Sequence, residues 1–360
     1  MMLFASLLSL LVTTLLATAA PAQVSPSVAA ATAITDVAWY PQSIESRQPP
    51  FHEGGAYTRL DYVPLPGAAE RWKICASVPP TSFEYFRAIA GGLEAEAARQ
   101  GVGITVHTLD DFDVEAQAVQ LETCLEEQAD AVILAPVGPE GFGPALARAR
   151  TVGMPVIQAV TSMHNDDVTA RVVTDRVAVG RAAGRFLADR HPAGADIAEV
   201  IWLYGPPNTD VSADVDLGFR AGIANGAIEI VHAAAIPLDE ESIRRNVRAV
   251  LAGDAEFVAL VGGARTIRVA VAELSETLPP GAIELVSVTV ASSVVAGIEA
   301  GRVFAGINDK AVAQARIAVD LAIRAIEGRP LMRDLRPTLE TVDRSNVADF
   351  DRRTILLDVE

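Results

Sequence analysis

Between Trp72 and Pro136, short β-branched runs alternate with longer amphipathic stretches. WKICASVPP (Trp72 to Pro80) opens as a strand, and a helix is predicted from Glu84 to Gln100. GITVHTLDD (Gly103 to Asp111) is a second strand, Asp113 to Gln128 a second helix, and ADAVILAPV (Ala129 to Val137) a third strand. Strands separated by whole helices cannot be joined as two-residue hairpins, so they pair in parallel as a βαβαβ unit. In such open sheets, ligands bind outside the carboxyl ends of the strands. The rest of the chain precedes this unit, repeats it or closes over it.

The alternation continues with a helix from Pro139 to Thr151, the strands MPVIQAV (Met154 to Val160) and RVVTD (Arg171 to Asp175), and a helix from Arg176 to His191. From Glu199 it restarts with EVIWLYG, the loop PPNTD (Pro206 to Asp210) and a helix from Asp216 to Asn225. EIVHAAAI (Glu229 to Ile236), FVALVGG (Phe257 to Gly263) and IELVSVTV (Ile283 to Val290) are the next strands, with helices between them. A helix from Ser292 to Gly301, the strand VFAGIND (Val303 to Asp309), a helix from Lys310 to Gly328 and an extended tail complete the chain. The predicted fold class is α/β: two similar parallel-sheet lobes joined by a hinge that the chain crosses several times. The first lobe is expected over 73–174 plus 290–309, the second over 175–289 plus 310–336, with 337–360 as an extended carboxyl-terminal tail.

Residues 1–22 form an apolar run ending in small residues, the pattern of a secretory signal peptide, with cleavage expected after Ala19 or Ala22. The run is short for a membrane span. Residues 23–71 begin as low-complexity linker and continue as an aromatic segment without helical or strand period, holding Trp39, Tyr40, Tyr57 and Tyr62. A disordered tail would be poor in such residues, so this segment is expected to lie as an extended strap on a folded surface.

The net charge of −17 argues against nucleic acid or an anionic membrane as partner. The five histidines are scattered without metal-ligand spacing. GPEGFG (Gly138 to Gly143) lacks the glycine spacing of a dinucleotide fingerprint. With no nucleophile elbow, phosphate-cradling loop or nucleophile–base constellation, no enzyme activity, cofactor or metal is expected. Cys75 and Cys124 are the two cysteines. A right-handed crossover can bring the second helix over the first strand, which permits a disulfide; two buried thiols are the alternative.

Three stretches carry a resemblance: ADAVILAPVGPEGFGPALARARTVGMPVI, VVTDRVAVGRAAGRFL, and LVSVTVASSVVAGIEAGRVFAGINDKAVAQARIAVDLAIRAIEGRPL. In order and spacing, over roughly residues 73 to 332, they resemble the type I periplasmic binding proteins. The aromatic segment before WKICA, the cysteines of WKICA and LETC (Leu121 to Cys124), and YGPPN (Tyr204 to Asn208) are similar to the branch that senses trimethylamine N-oxide (TMAO). That resemblance implies a periplasmic protein that binds a small solute between its lobes and docks on the periplasmic domain of a sensor histidine kinase. The alternative within the superfamily is delivery of a sugar or other small solute to an ABC transporter. The chain departs from the TMAO pattern where aromatics are expected, having Val288 and Thr289 after one strand and Asp175 and Arg176 at the crossing. It departs from the sugar-binding pattern too, with Gly263 and Ala264 in place of an Asn-Asp pair.

Strand carboxyl ends supply the candidate ligand contacts. From the first lobe these are Pro79, Phe83, Tyr85, Phe86 and Pro136; from the crossing, Asp175 and Arg176. The second lobe offers Tyr204, Asn208, Gly262, Gly263 and Thr289, and the last crossing Asn308 and Asp309. Competing structural roles are a buried helix face for Phe86 and a hinge salt bridge for Asp175 and Arg176. Trp202 is expected in the core.

Overall fold

A computed structural model describes residues 39–52, 54–253, 256–275 and 278–355; the expected signal peptide, 1–22, lies outside them. Two strands come first, β1 (Gln42–Gln48) and β2 (Ala56–Tyr62). The expected unit follows as β3 (Lys73–Val78), α1 (Glu84–Gln100), β4 (Gly103–Thr108), α2 (Val114–Glu126) and β5 (Ala131–Leu134). Then come α3 (Gly143–Thr151), β6 (Val156–Val160) and β7 (Ala170–Val173). Local chemistry sets the helix ends. The α1 helix stops at Gly101, whose left-handed φ of 78° lets its N–H turn back on the carbonyls of Ala97 and Ala98. The Asp113 side chain caps α2 by accepting from the amide of Ala116.

The second half contains α4 (Arg176–Arg190), β8 (Ala198–Tyr204), α5 (Asp210–Ile223), β9 (Ile228–Ala235), α6 (Glu240–Leu251), β10 (Ala259–Gly262), α7 (Ala264–Ser275) and β11 (Glu284–Ser287). The chain closes with α8 (Ser292–Glu299), β12 (Ala305–Asn308), α9 (Ala311–Ile326), β13 (Asp334–Pro337), β14 (Glu340–Asp343) and a 3-10 turn at Arg352–Thr354. Among the described residues, no helix is long and apolar enough to cross a membrane.

Two sheets result, ordered β2-β1-β13-β7-β6-β5-β3-β4 and β14-β12-β11-β10-β8-β9. The parallel core of each has the same doubly wound order, with its first strand (β3 or β8) flanked by its second and third. Strands β3, β5 and β6 are almost continuously buried, as expected where helices cover both faces. Cys75 and Cys124 form a disulfide with Cα atoms 5.6 Å apart, pinning α2 to β3 inside a core with Leu121, Val132 and Leu146. Among the described residues, one group has metal-ligand proximity, these two cysteines with His107, and the disulfide occupies both sulfurs.

Three expectations are corrected. The segments after Val290 belong to the opposite lobes. Strand β12 pairs in parallel with β11, Val286 opposite Ala305, and α8 buries Val294, Val295 and Ile298 in the second core. Helix α9 instead sinks Ala315, Ala318 and Ala322 into the first core. The crossings therefore fall after β7, after β12 and between β13 and β14.

Next, the aromatic segment is not free of strands. The β1 strand pairs antiparallel with both β2 and β13, extending the first sheet. Polar residues on both faces of QSIESRQ and AYTRLDY hide this pairing, since the partner of β1 lies almost three hundred residues downstream. The segment is also clamped by α9. Asp320 accepts from the Tyr62 hydroxyl at 2.5 Å and the Leu65 amide at 2.7 Å, and Glu327 accepts from the Trp72 indole at 2.9 Å. The guanidinium of Arg316, buried against Glu96, stacks 4.3 Å from the Trp39 ring. Last, the described part of the tail, 337–355, is more than an extended end: β14 runs antiparallel to β12, Gly306 opposite Val342.

Candidate ligand-binding cleft

The loops after β3, β5, β8 and β10 converge on one cavity of about 590 Å³. These are the positions where strand order reverses in each sheet, so both lobes present the same part of their fold to a common space. The wall from the first lobe is aromatic. Phe83 and Phe86 flank the start of α1, and Phe112 comes from the loop after β4. Phe112 stands 5.3 Å from Phe83 and 5.8 Å from Phe86, both edge to face. Tyr85 packs edge-on to Phe86 at 5.4 Å.

Across the cavity stand Tyr204, Pro206, Gly263, Arg265 and Thr289. Tyr204 stacks on Trp202 at 5.2 Å, and Trp202 on Phe219 at 4.5 Å, so a buried column supports the tyrosine from behind. The indole of Trp202 donates to Asp216 at 2.8 Å. Gly205 is required next to it: a Cβ there would lie 2.0 Å from the carbonyl oxygen of Ile236. The Thr289 hydroxyl accepts from the first amide of α7, at Ala264, at 3.1 Å.

The base of the cavity is the hinge. Asp309 Oδ2 accepts from the Tyr85 hydroxyl at 2.6 Å, Arg176 Nη1 at 3.0 Å and Thr174 Oγ1 at 3.1 Å. Arg176 Nη2 also donates to the Tyr85 oxygen at 3.2 Å. Burial pushes the Tyr85 phenol well above its ordinary pKa, with Asp309 adding to the shift, so it stays a donor. Burial opposes the Arg176 cation, but Tyr85 and Asp309 outweigh it and hold its pKa above the usual arginine range. Further pairs tie the crossings together: Arg336 with Asp175 at 2.7 Å, and Lys310 Nζ with Thr338 Oγ1 at 3.2 Å. The lobes also meet away from the hinge, through Arg265 over Phe83 at 4.4 Å, the Ser292 amide with Glu84 at 3.4 Å, and His164 with Asp210 at 2.9 Å.

Of the residues singled out by sequence, the cavity gathers Pro79, Phe83, Tyr85, Phe86, Pro136, Arg176, Tyr204, Gly263, Thr289, Asn308 and Asp309. Asp175 is not on the wall, because its carboxylate caps α4 at the Ala178 amide, 2.8 Å away, and pairs with Arg336. Asp175 and Arg176 both enter hinge ion pairs, with Arg336 and Asp309 rather than with each other. Asn208 also misses the wall; it is exposed in a turn with φ of 59°. Gly262 ends β10 below the wall, packed against Thr266 and Leu203. The amide of Asn308 is on the wall but committed, donating to Thr354 at 3.0 Å.

Sequence reasoning missed Phe112, Arg265 and the tail residues Thr354 and Ile355. Phe112 had a signal, an aromatic just past the carboxyl end of a strand. The tail had none, because its approach depends on β14 pairing with β12.

Comparison with known proteins agrees with this geometry. Residues 74–330 match the family model described as periplasmic binding protein domain. The chain is 27% identical over 297 residues to the periplasmic protein TorT of Escherichia coli (strain K12), covering 82% of this chain and 84% of TorT. A crystal structure of the TorS sensor domain–TorT complex in the presence of TMAO superposes with a TM-score of 0.71 at 28% identity, covering 76% of this chain and 93% of that one. An ABC transporter solute-binding protein from Bradyrhizobium sp. BTAi1, with bound Bis-Tris, superposes with a TM-score of 0.82 at 27% identity, covering 88% of this chain and 96% of that one. With two doubly wound lobes, a cleft at their switch points and this match over most of its length, the chain belongs to the periplasmic binding protein family, in its type I form, and resembles TorT.

Proposed function

We propose that this protein is a periplasmic ligand sensor of the TorT kind, binding a small solute in the interlobe cleft and signalling to a TorS-like sensor histidine kinase. The observation that carries the reading is the cavity itself, whose walls come from both lobes and whose base is the hinge. A solute bound there touches both lobes at once and favours the closed arrangement by its differential affinity for it. That closure would alter the surface offered to a kinase. Likeness to TorT over 297 residues, a longer span than the binding-protein domain alone, supports the sensor assignment. TMAO is the first candidate solute: its methyl groups suit the wall of Phe83, Phe86 and Phe112, and its polarised oxygen suits a guanidinium. The ligand-contacting residues proposed are those that sequence and cavity share, led by Phe83, Tyr85, Phe86, Arg176, Tyr204 and Asp309.

A second reading, delivery of a solute to an ABC transporter, is favoured by the higher TM-score of the Bradyrhizobium protein. Two steps separate them. A thermal-shift screen of the protein lacking residues 1–22, with TMAO, related N- and S-oxides, pentoses and hexoses, tests solute binding. Capture by the periplasmic domain of a co-encoded kinase, with and without the stabilising solute, tests the partner. Solute-dependent capture supports the sensor; solute binding with no capture in either state supports transport.

A further inference from the structure

Among the described residues, two arginines on the cleft wall form no salt bridge, Arg87 and Arg265. Arg265 lies in the first turn of α7, on the wall facing the aromatic cluster. Its Nη1 donates to the carbonyl of Leu238 at 3.0 Å, and its guanidinium stacks 4.4 Å from the Phe83 ring. Among the described residues it forms no salt bridge. Of the other charged groups on the wall, Arg87 is exposed and donates to the Thr81 carbonyl at 3.2 Å. Arg176 pairs with Asp309 at 3.0 Å, and Arg268 with Glu240 at 2.7 Å. Glu84 lies on the wall too, with its carboxylate 3.4 Å from the Ser292 amide at the start of α8. Burial pushes the Arg265 pKa below its ordinary value and the like charge of Arg268 adds to the shift, while the carboxylates of Glu240, Glu84 and Asp239 act against it without reversing it. A cation held this way gains from any anion that enters, because partial desolvation strengthens the attraction.

Geometry narrows the form of that anion. The guanidinium fork suits a planar carboxylate, which it can hold through two parallel hydrogen bonds. Arg265 belongs to a helix amino terminus with no acidic residue in its first turn, so the helix dipole acts in the same direction. Beside it the Phe83, Phe86 and Phe112 cluster offers an apolar surface with no competing polar group of its own. We infer that the cleft takes a small organic carboxylate, its anionic group on Arg265 and its apolar or aromatic body against Phe83, Phe86 and Phe112. This rests on the cleft-binding reading above and puts a carboxylate in place of TMAO as its solute. The net charge of the protein is −17, so the attraction to an anion is local to Arg265.

The test uses the protein lacking residues 1–22, with benzoate, phenylacetate, their neutral amides, inorganic phosphate, TMAO and ribose as probes, measured by thermal shift and calorimetry. Wild type and the variants R265Q and F86A are compared, and circular dichroism confirms that each is folded. The expected result is stabilisation by one of the carboxylates and not by its amide, weakened about tenfold or more in R265Q. F86A should weaken the same carboxylate while leaving inorganic phosphate without effect in every protein. Equal affinity of wild type and R265Q for the carboxylate overturns the proposal. So does binding of TMAO or ribose with no carboxylate bound; if F86A weakens that neutral ligand, the cleft reading survives. A ligand that F86A and R265Q both leave unchanged removes the cleft reading as well. Stabilisation by inorganic phosphate alone overturns the proposal by marking a bare anion site.

Discussion

The hydroxyl of Tyr85, on the first helix of one lobe, donates to Asp309 Oδ2 at 2.6 Å, where the chain leaves the last parallel strand of the other. Arg176, at the opposite crossing, reaches both groups, at 3.0 Å to Asp309 and 3.2 Å to the Tyr85 oxygen. The three therefore report on the lobe arrangement and on the cavity base together.

Tyr85→Phe removes two hydrogen bonds, the one donated to Asp309 and the one accepted from Arg176, and leaves the ring in place. It should favour the open arrangement by about 1–2 kcal/mol, roughly a five- to thirtyfold change in the closed-to-open ratio. Small-angle scattering without ligand checks this: the variant should show the larger radius of gyration. Identical scattering curves would mean that the Tyr85 bonds do not bias closure.

Alkaline pH should destabilise the fold. Burial raises the pKa of Tyr40, Tyr62 and Tyr85, with Glu96, Asp320 and Asp309 respectively adding to the shift. In the unfolded chain these phenols release their protons near pH 10, about their model value. Above that pH the unfolded state binds fewer protons than the native state, so stability is full below about pH 10 and falls as pH rises towards the native pKa values. Denaturant midpoints at pH 8, 9.5 and 10.5, with tyrosinate absorbance followed in parallel, should show that loss and a late, cooperative tyrosinate step. Titration of Tyr40, Tyr62 and Tyr85 at about pH 10 in the folded state would contradict it.

The Cys75–Cys124 bridge closes a loop with a sequence separation of 49. Replacing both cysteines by alanine should cost about 2–4 kcal/mol, chiefly through the freer unfolded chain. Urea unfolding of the variant and the oxidised parent gives the difference directly. Equal midpoints would show that the bridge contributes nothing to stability.

Arg316 is buried against Glu96, its Nε donating to Glu96 Oε2 at 3.0 Å, with the Trp39 ring on its other side. Arg316→Met leaves the Glu96 carboxylate buried with one partner fewer and should cost about 3–5 kcal/mol. Trp39 fluorescence should shift as well, because its stacked cation is gone. Wild-type stability with an unchanged spectrum would separate the amino-terminal segment from the core.

How much of this was legible depended on the range of the interactions concerned. The α1 boundaries, Glu84 and Gln100, follow from the local pattern, and so does the burial of Trp202. The lobe assignment of β12 and α9 did not follow, because a short apolar strand carries no mark of which sheet will receive it. The β1–β2 hairpin was invisible because its strands carry polar residues on both faces, and β1 also meets the distant β13. In the cleft, positions set by strand ends were readable, as with Phe83, Tyr204 and Thr289. Side chains diverted by a local partner were misplaced: Asp175 turned to cap α4. Arg265 carries no mark in the sequence, because its place on the cleft depends on Phe83 of the opposite lobe.

Hydrogen exchange with and without the most strongly stabilising solute from the screen tests the binding of one solute by both lobes most directly. Protection should rise together in the loops after β3 and β5 of the first lobe and after β8 and β10 of the second, with Tyr85, Tyr204 and Arg265 inside the protected peptides. Protection confined to one lobe, or appearing away from these four loops, would contradict it.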